Sequence, residues 1–318
     1  MKAVYYERFG ESEVLQLGDL PMPKPGPGEV LVNVAAASVN PIDWKLREGF
    51  FDGVFPHEFP VIPGWDLAGR VAALGEGATG FSPGDRVYAY CRKPVVRAGT
   101  YAEYVVVDAD VLAPSPANLS DVEAATIPLV GLTVWQSLFE FAGLKAGQSV
   151  LVHAGAGGVG SLAVQLAAHA GARVFATASA ANADYLLELG ASRAIDYKIE
   201  NLSVVQRFEV PAGFDVVFDT VGGDVLAASY GLLKPGGALP ALNDEPDSQI
   251  CEAKSIRGLR LFSEPNGAHL RRLTALIDEG ALKPSEIEVF PLKQAAEAMD
   301  LSQAGHVRGK LVLDIGAS

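Results

Sequence analysis

Gly155, Gly157 and Gly160 stand at the spacing G-x-G-x-x-G inside VLVHAGAGGVGSLAVQLAAHAG, residues 150–171. Residues without side chains let a chain turn tightly and let a ligand approach main-chain N–H groups closely. The flanks decide what the turn joins. Val150, Leu151 and Val152 form an apolar run that reads as a buried strand, while Ala163, Val164, Leu166, Ala167 and Ala168 continue at helical spacing. A lone glycine triplet is usually a flexible loop. In the order strand, glycine turn, helix it is a cradle for a diphosphate, because the free amides opening the helix, near Gly158 and Val159, attract phosphate. The chemistry expected here is dinucleotide binding.

The rest of the chain must place that turn. The first hundred residues are short β-like runs at 29–36, 67–74, 85–90 and 101–107, broken by PMPKPGPG at 21–28, GEGATGFSPG at 75–84 and the stretch around Gly99. Many short strands with such punctuation predict a compact barrel-like domain. From Ser120 the texture changes, with Ser120 and Glu123 forming a capping box. Strands at 149–153, 173–177, 215–219 and 237–242 then alternate with helices at 161–170, 182–189, 224–233 and 266–279. Such alternation predicts a parallel sheet wound by helices on both sides. Past Lys283 come IEVFPL, a helix at 293–301 and GKLVLDI, a tail expected to rejoin the first domain. The expected division is 1–118 with 285–318, and 119–284.

Composition narrows the function classes. A chain of 318 residues, 49% hydrophobic and 20% charged, is an ordinary globular protein of about two domains. A net charge of −13 opposes nucleic acid and anionic membranes as partners. Two cysteines, Cys91 and Cys251, cannot make a four-thiolate zinc site and are expected to be plain thiols. The N-terminus MKAVYYERFG lacks the apolar stretch of a signal peptide, and no uncharged apolar run reaches about 18 residues, so the expectation is a cytoplasmic protein. Of the five histidines, His153 ends a strand and His169 lies on the glycine-turn helix, where structural or surface roles are expected; His57 is the one near the substrate side.

Several motifs recur in order: Ser38-Val-Asn40-Pro-Ile-Asp43, Pro63-Gly64-Trp65-Asp66-Leu-Ala-Gly69, Gly84-Asp85-Arg86-Val87, AGAGGVG at 154–160, LGA…IDY at 189–197 and Gly309-Lys310. The set resembles the medium-chain dehydrogenase/reductase superfamily in its zinc-free quinone oxidoreductase branch, over nearly the whole chain. The resemblance implies a Rossmann doubly wound parallel sheet plus a GroES-like β-barrel-type catalytic domain, and a homodimer through edge-strand pairing. It also implies hydride transfer to a quinone or an α,β-unsaturated carbonyl. Zinc relatives carry G-H-E where this chain has Gly64-Trp65-Asp66, and no cysteine stands near Ser38–Asn40, so no metal is expected.

The expected cofactor is NADPH. No carboxylate follows the strand 173–177 until Asp184, so nothing there claims the ribose hydroxyls of NAD, and Thr177, Ser179 and Asn182 can donate to a 2′-phosphate. The same small polar residues also serve simply to end a strand. By resemblance Tyr197 lines the adenosine phosphate, Thr133 floors the nicotinamide, and Thr220, Leu242, Phe262 and Ser263 edge it. The family's usual basic residue is replaced by Ala181, for which Lys198 or Arg193 can substitute. Lys310 is read as a cofactor contact or as a surface lysine in a turn. Without a metal, something else must polarise the acceptor oxygen: Asn40 as a donor, Lys45 as a cation, and Asp43 orienting Lys45 or relaying a proton. Relatives often carry Tyr at the Lys45 position, which leaves water as an alternative proton donor, and Asp43 and Lys45 read equally as a surface ion pair. Trp44, Phe50, Phe51, Phe55 and Tyr90 can wall a flat apolar pocket or be plain core. An enoyl-thioester reductase and a non-catalytic NADPH-binding protein are the competing readings.

Overall fold

The computed structural model describes residues 1–305 and 307–316, so His306 lies outside the described residues. Backbone contacts divide the chain into one unit of Met1–Leu129, Glu264–Gly280 and the chain from Pro284 onward, and a second of Val130–Ser263 with Ala281–Lys283. Strands and helices are numbered in chain order.

Short alternating runs build the first unit. Its strands are β1 (Lys2–Tyr5), β2 (Gln16–Asp19), β3 (Glu29–Val39), β4 (His57–Ile62), β5 (Asp66–Leu74), β6 (Arg86–Tyr90), β7 (Val96–Ala98), β8 (Tyr104–Asp108), β9 (Ala113–Pro114), β16 (Ile287–Pro291) and β17 (Lys310–Asp314). The main sheet has the order β16-β17-β3-β5-β6-β9, with β8 also on β3. Along β3, Val30, Val32 and Val34 are buried and Asn33 is exposed, the period of two that a half-buried strand requires. The tail returns to this sheet, with Leu313 opposite Ala37. Four helices accompany it: α1 (Pro41–Arg47), α2 (Asp121–Ala124), α9 (Gly267–Asp278) and α10 (Ala295–Ala304).

The second unit is a six-stranded parallel sheet of β10 (Ser149–Val152), β11 (Arg173–Ala178), β12 (Arg193–Asp196), β13 (Phe214–Phe218), β14 (Leu233–Ala241) and β15 (Arg257–Arg260). Its order, β12-β11-β10-β13-β14-β15, reverses between β10 and β13. That reversal opens a crevice outside the strand ends, where ligands of doubly wound sheets bind. Val150, Leu151 and Val152 are fully buried because both faces are covered. The helices are α3 (Pro128–Trp135), continued by a wider turn through Phe141, then α4 (Gly158–His169), α5 (Ala183–Glu188), α6 (Leu202–Glu209), α7 (Gly223–Ser229) and α8 (Ser248–Lys254).

Three features differ from the sequence reading. Helix α9, expected in the nucleotide domain, belongs to the first unit, where Leu270 O accepts from the Tyr88 hydroxyl at 2.8 Å and Ile277 O from Asn118 Nδ2 at 2.8 Å. Strand β12 and helix α6 complete the winding although neither showed in the alternation, because β12 is four residues long and carries a charge at each end. The helical run Asp121–Phe141 is long and apolar enough by composition to cross a membrane, yet 72% of its most apolar 18-residue stretch is buried in protein, as in a core helix.

Candidate functional site

The glycine turn sits where the sheet order reverses. Gly157 is the N-cap of α4 and supplies no side-chain cap, and Ser161 N–H donates to Gly157 O at 2.9 Å. The amides of Gly158, Val159 and Gly160 therefore open the helix without a capping side chain, the arrangement that attracts anions. A Cβ on Gly160 would fall 2.7 Å from Gly155 Cα and still closer to Ala154 O, so only glycine lets α4 lie against the turn. A Cβ on Gly155 would meet the Ala176 methyl at 2.9 Å. These are the close approaches a diphosphate cradle needs, so the residues fit a dinucleotide.

A buried histidine ties this turn together. His153 Nδ1 lies 3.3 Å from Thr177 Oγ1, whose oxygen accepts from Ala154 N–H at 3.1 Å. His153 Nε2 lies 3.1 Å from Ser229 Oγ, and His153 O accepts from the Thr220 hydroxyl at 2.8 Å. Burial lowers the imidazole to about 4, against a smaller opposing pull from Asp219. Thr177 was expected to donate to a 2′-phosphate, but it is buried with its hydroxyl engaged in this chain. Beyond the end of β11, Asn182 Nδ2 donates to Ser179 Oγ at 3.3 Å, and Tyr197 N–H donates to Ala178 O at 3.3 Å. Ser179, Asn182 and Tyr197 therefore converge. Arg193, a candidate cation, is instead committed to Glu200 and Glu209, whereas Lys198 follows the half-exposed Tyr197. Thr133 and Ser263 also meet, hydroxyl to hydroxyl at 3.1 Å. Leu242 N–H donates to Asp219 O, and Phe262 is half-buried beside Ser263.

The first unit holds a second polar cluster. Asn40 N–H donates to Asp43 Oδ2 at 2.8 Å, and Asn40 Nδ2 donates to Asp66 Oδ2 at 2.9 Å. Lys310 Nζ donates to Asn40 Oδ1, Tyr101 Oη to Asp43 Oδ2 at 3.0 Å, and Leu129 N–H to Asp66 Oδ1 at 2.7 Å. All five side chains are buried. Burial pushes Asp43 up to about 7 and Asp66 up to about 6, and it lowers Lys310. Among the described residues Asp43 Oδ1 and Tyr6 Oη have no hydrogen-bond partner, and they border a cavity of about 10 Å³, enough for one water.

This cluster shows where two of the expected residues lie. Lys310 is not a surface lysine; its ammonium is buried on Asn40 and Val39 O. Asn40 Nδ2 donates to Asp66 and, at 3.5 Å, to Ser38 O, and its oxygen accepts from Lys310, so it holds neighbours rather than presenting a free donor. Asp43 turns inward, while Lys45 is half-buried with Nζ 5.5 Å from the Trp44 ring. The aromatic residues divide: Tyr90 is core, Phe50 is 66% exposed, and Phe55 lies between Phe51 and Trp65 with ring centroids at 5.7 and 6.3 Å.

Among the described residues no group of three His, Cys, Asp or Glu side chains is arranged to hold a metal ion, and burial pushes the thiols of Cys91 and Cys251 up, away from the thiolate a metal needs. Sequence reasoning gave no site role to His153, Ser229, Asp66 or Tyr101. The one available signal was Asp66, a carboxylate opening a strand whose next three residues, Leu67, Ala68 and Gly69, are apolar and buried.

Residues 26–117 match the alcohol dehydrogenase GroES-like domain, and residues 189–313 match the domain described as zinc-binding dehydrogenase. A 2-methylene-furan-3-one reductase of Solanum lycopersicum is 35% identical over 98% of this chain and 79% of its own length. The NADPH-dependent alkenal/one oxidoreductase of Arabidopsis thaliana chloroplasts is 35% identical with the same coverage. The quinone oxidoreductase of Coxiella burnetii superposes with a TM-score of 0.88 at 36% identity, covering 99% of both chains. With motifs, sheet order and relatives in agreement, the chain belongs to the quinone oxidoreductase-like family of the medium-chain dehydrogenases/reductases.

Proposed function

We propose that this chain is an NADPH-dependent reductase that transfers hydride to a quinone or an α,β-unsaturated carbonyl without zinc. The observation that carries the reading is the uncapped start of α4 behind the close-packed glycine turn. When bound, the reduced nicotinamide supplies the hydride. The amides of Gly158, Val159 and Gly160 bind the diphosphate, and Ser179, Asn182, Tyr197 and Lys198 receive the adenosine-ribose phosphate. Thr133, Thr220, Leu242, Phe262 and Ser263 orient the other end. Lys45 is the cation offered to the acceptor oxygen. Asn40 and Lys310 act by holding Asp43 and Asp66, and Asp43, poised near neutral pH, relays the proton.

The relatives' names support both acceptor classes and the cofactor. Independence from zinc is supported by the missing ligand set. A homodimer is supported by β15, an edge strand with Leu259 39% exposed, and a reducing cytoplasmic setting by two free cysteines. The test is NADPH oxidation with quinones, alkenals and enoyl thioesters, with and without a chelator. Turnover of quinones or alkenals that survives chelation is expected. Turnover of enoyl thioesters alone, or tight NADPH binding with no acceptor used, would replace the reading by one of its two rivals.

A further inference from the structure

We propose that His153 is a positioning residue of the dinucleotide turn, fixing the Thr177 hydroxyl and, through it, the Ala154 amide. The inference rests on the NADPH reading above and adds a residue to it. The direction of each hydrogen bond follows from its neighbours. Ser229 Oγ donates its single proton to Val225 O at 2.7 Å, so toward His153 Nε2, at 3.1 Å, it accepts. Nε2 therefore carries the imidazole proton, and Nδ1 is a bare acceptor. Thr177 Oγ1 gives its one proton to Nδ1 at 3.3 Å, and its lone pair receives Ala154 N–H at 3.1 Å. A single chain of donors thus runs from Ala154 through Thr177, His153 and Ser229 to Val225.

The turn needs such a hold. Ala154 has φ +48°, a left-handed conformation that a residue with a Cβ adopts at a cost. Its amide on Thr177 Oγ1, and Gly155 N–H on Thr177 O at 2.8 Å, pin that conformation to β11. The imidazole joins the ends of β10 and β11 to α7, and its own carbonyl takes the Thr220 hydroxyl. Around the ring, β11 and α7 present hydroxyls, and Asp219 at the end of β13 is the charged group that acts on it. Asp219 is itself occupied by the amides of Val221 and Gly222. A turn held in advance binds its ligand more tightly because less ordering remains to be done.

The test is steady-state kinetics on His153→Ala, His153→Asn and His153→Gln. Loss of the acceptor for Thr177 should raise the NADPH KM about tenfold in H153A, with kcat at saturating NADPH changed far less. In H153N the amide oxygen stands near the place of Nδ1, and KM should return to within about threefold of wild type. H153Q reaches toward Ser229 instead and should not restore it. An unchanged KM in H153A, or rescue by H153Q and not by H153N, overturns the proposal. If H153A fails to fold, Thr177→Val carries the test: it should raise KM as H153A was to do, with T177V/H153N no worse than T177V alone, and additive losses would refute the shared path. A wild type that binds no NADPH defeats the functional reading instead. The inference is then judged by amide exchange at Ala154 and Gly155: faster in T177V and near wild type in H153N supports it, and unchanged rates in T177V sink it.

Discussion

Gly160→Ala separates packing from binding at the cradle. The added Cβ would stand 2.7 Å from Gly155 Cα and 2.9 Å from Ala154 C, both backbone atoms. Carbon contacts are comfortable at about 3.5–4.0 Å, so helix and turn must part by about an ångström. Overpacking of this kind costs about 1–3 kcal/mol of stability. The same displacement carries the amides of Gly158 and Val159 off the diphosphate, and a misplacement of that size weakens function by about a hundredfold. Gly157→Ala is the control. Its Cβ would meet only Ala154 O at 3.4 Å, so stability should change by no more than about 1 kcal/mol, the difference between Gly and Ala as an N-cap. If the diphosphate binds as proposed, a methyl here would stand in its approach, and NADPH affinity should still fall at least about tenfold. Urea unfolding followed by circular dichroism and calorimetric titration with NADPH read the two effects separately. Wild-type affinity in G157A, or wild-type stability together with wild-type affinity in G160A, would refute the reasoning.

Further outcomes follow from the buried titrating groups and the end of β11. His153 sits at about 4 when folded against 6.5 when unfolded, so the unfolded chain gains protons first and stability falls as pH drops from 6.5 toward 4. The gap converts to about 3 kcal/mol, a loss that H153N should lack when unfolding free energies are compared across that window. Asp43 shows the opposite sign: raised from 3.8 to about 7, it favours the fold below 3.8, and that contribution is lost as pH rises to 7. Asp43→Asn should therefore gain on wild type in stability as pH rises from 4 to 8, and it should flatten any activity transition near neutral pH. Ser179→Asp should place a carboxylate where NAD ribose hydroxyls bind, raising the NADPH KM at least about tenfold and lowering that for NADH.

How much was legible in the sequence depended on how local each feature was. The glycine turn was legible because strand, turn and helix are contiguous, and the close approaches at Gly155 and Gly160 follow from the spacing itself. The parallel winding showed wherever a strand was long and apolar, and it failed at β12, a short strand with a charge at either end. Lys310 looked like a turn lysine because its partner Asn40 is 270 residues away, a pairing made by β17 returning beside β3. His153 looked inert for a similar reason: its meaning comes from Thr177 and Ser229, on two other elements. Asn40 was read as a donor to the acceptor oxygen, because the partners that occupy its amide, Asp66 and Lys310, are distant in sequence.

The most direct measurement is transfer of deuterium from NADPH labelled at nicotinamide C4 to an alkenal, with product analysis by mass spectrometry. The account predicts consumption of the labelled coenzyme matched by deuterium at the β-carbon of the saturated product, and loss of that transfer in G160A. Product formed without deuterium from either C4 position, or coenzyme left intact with alkenals and quinones alike, would contradict it.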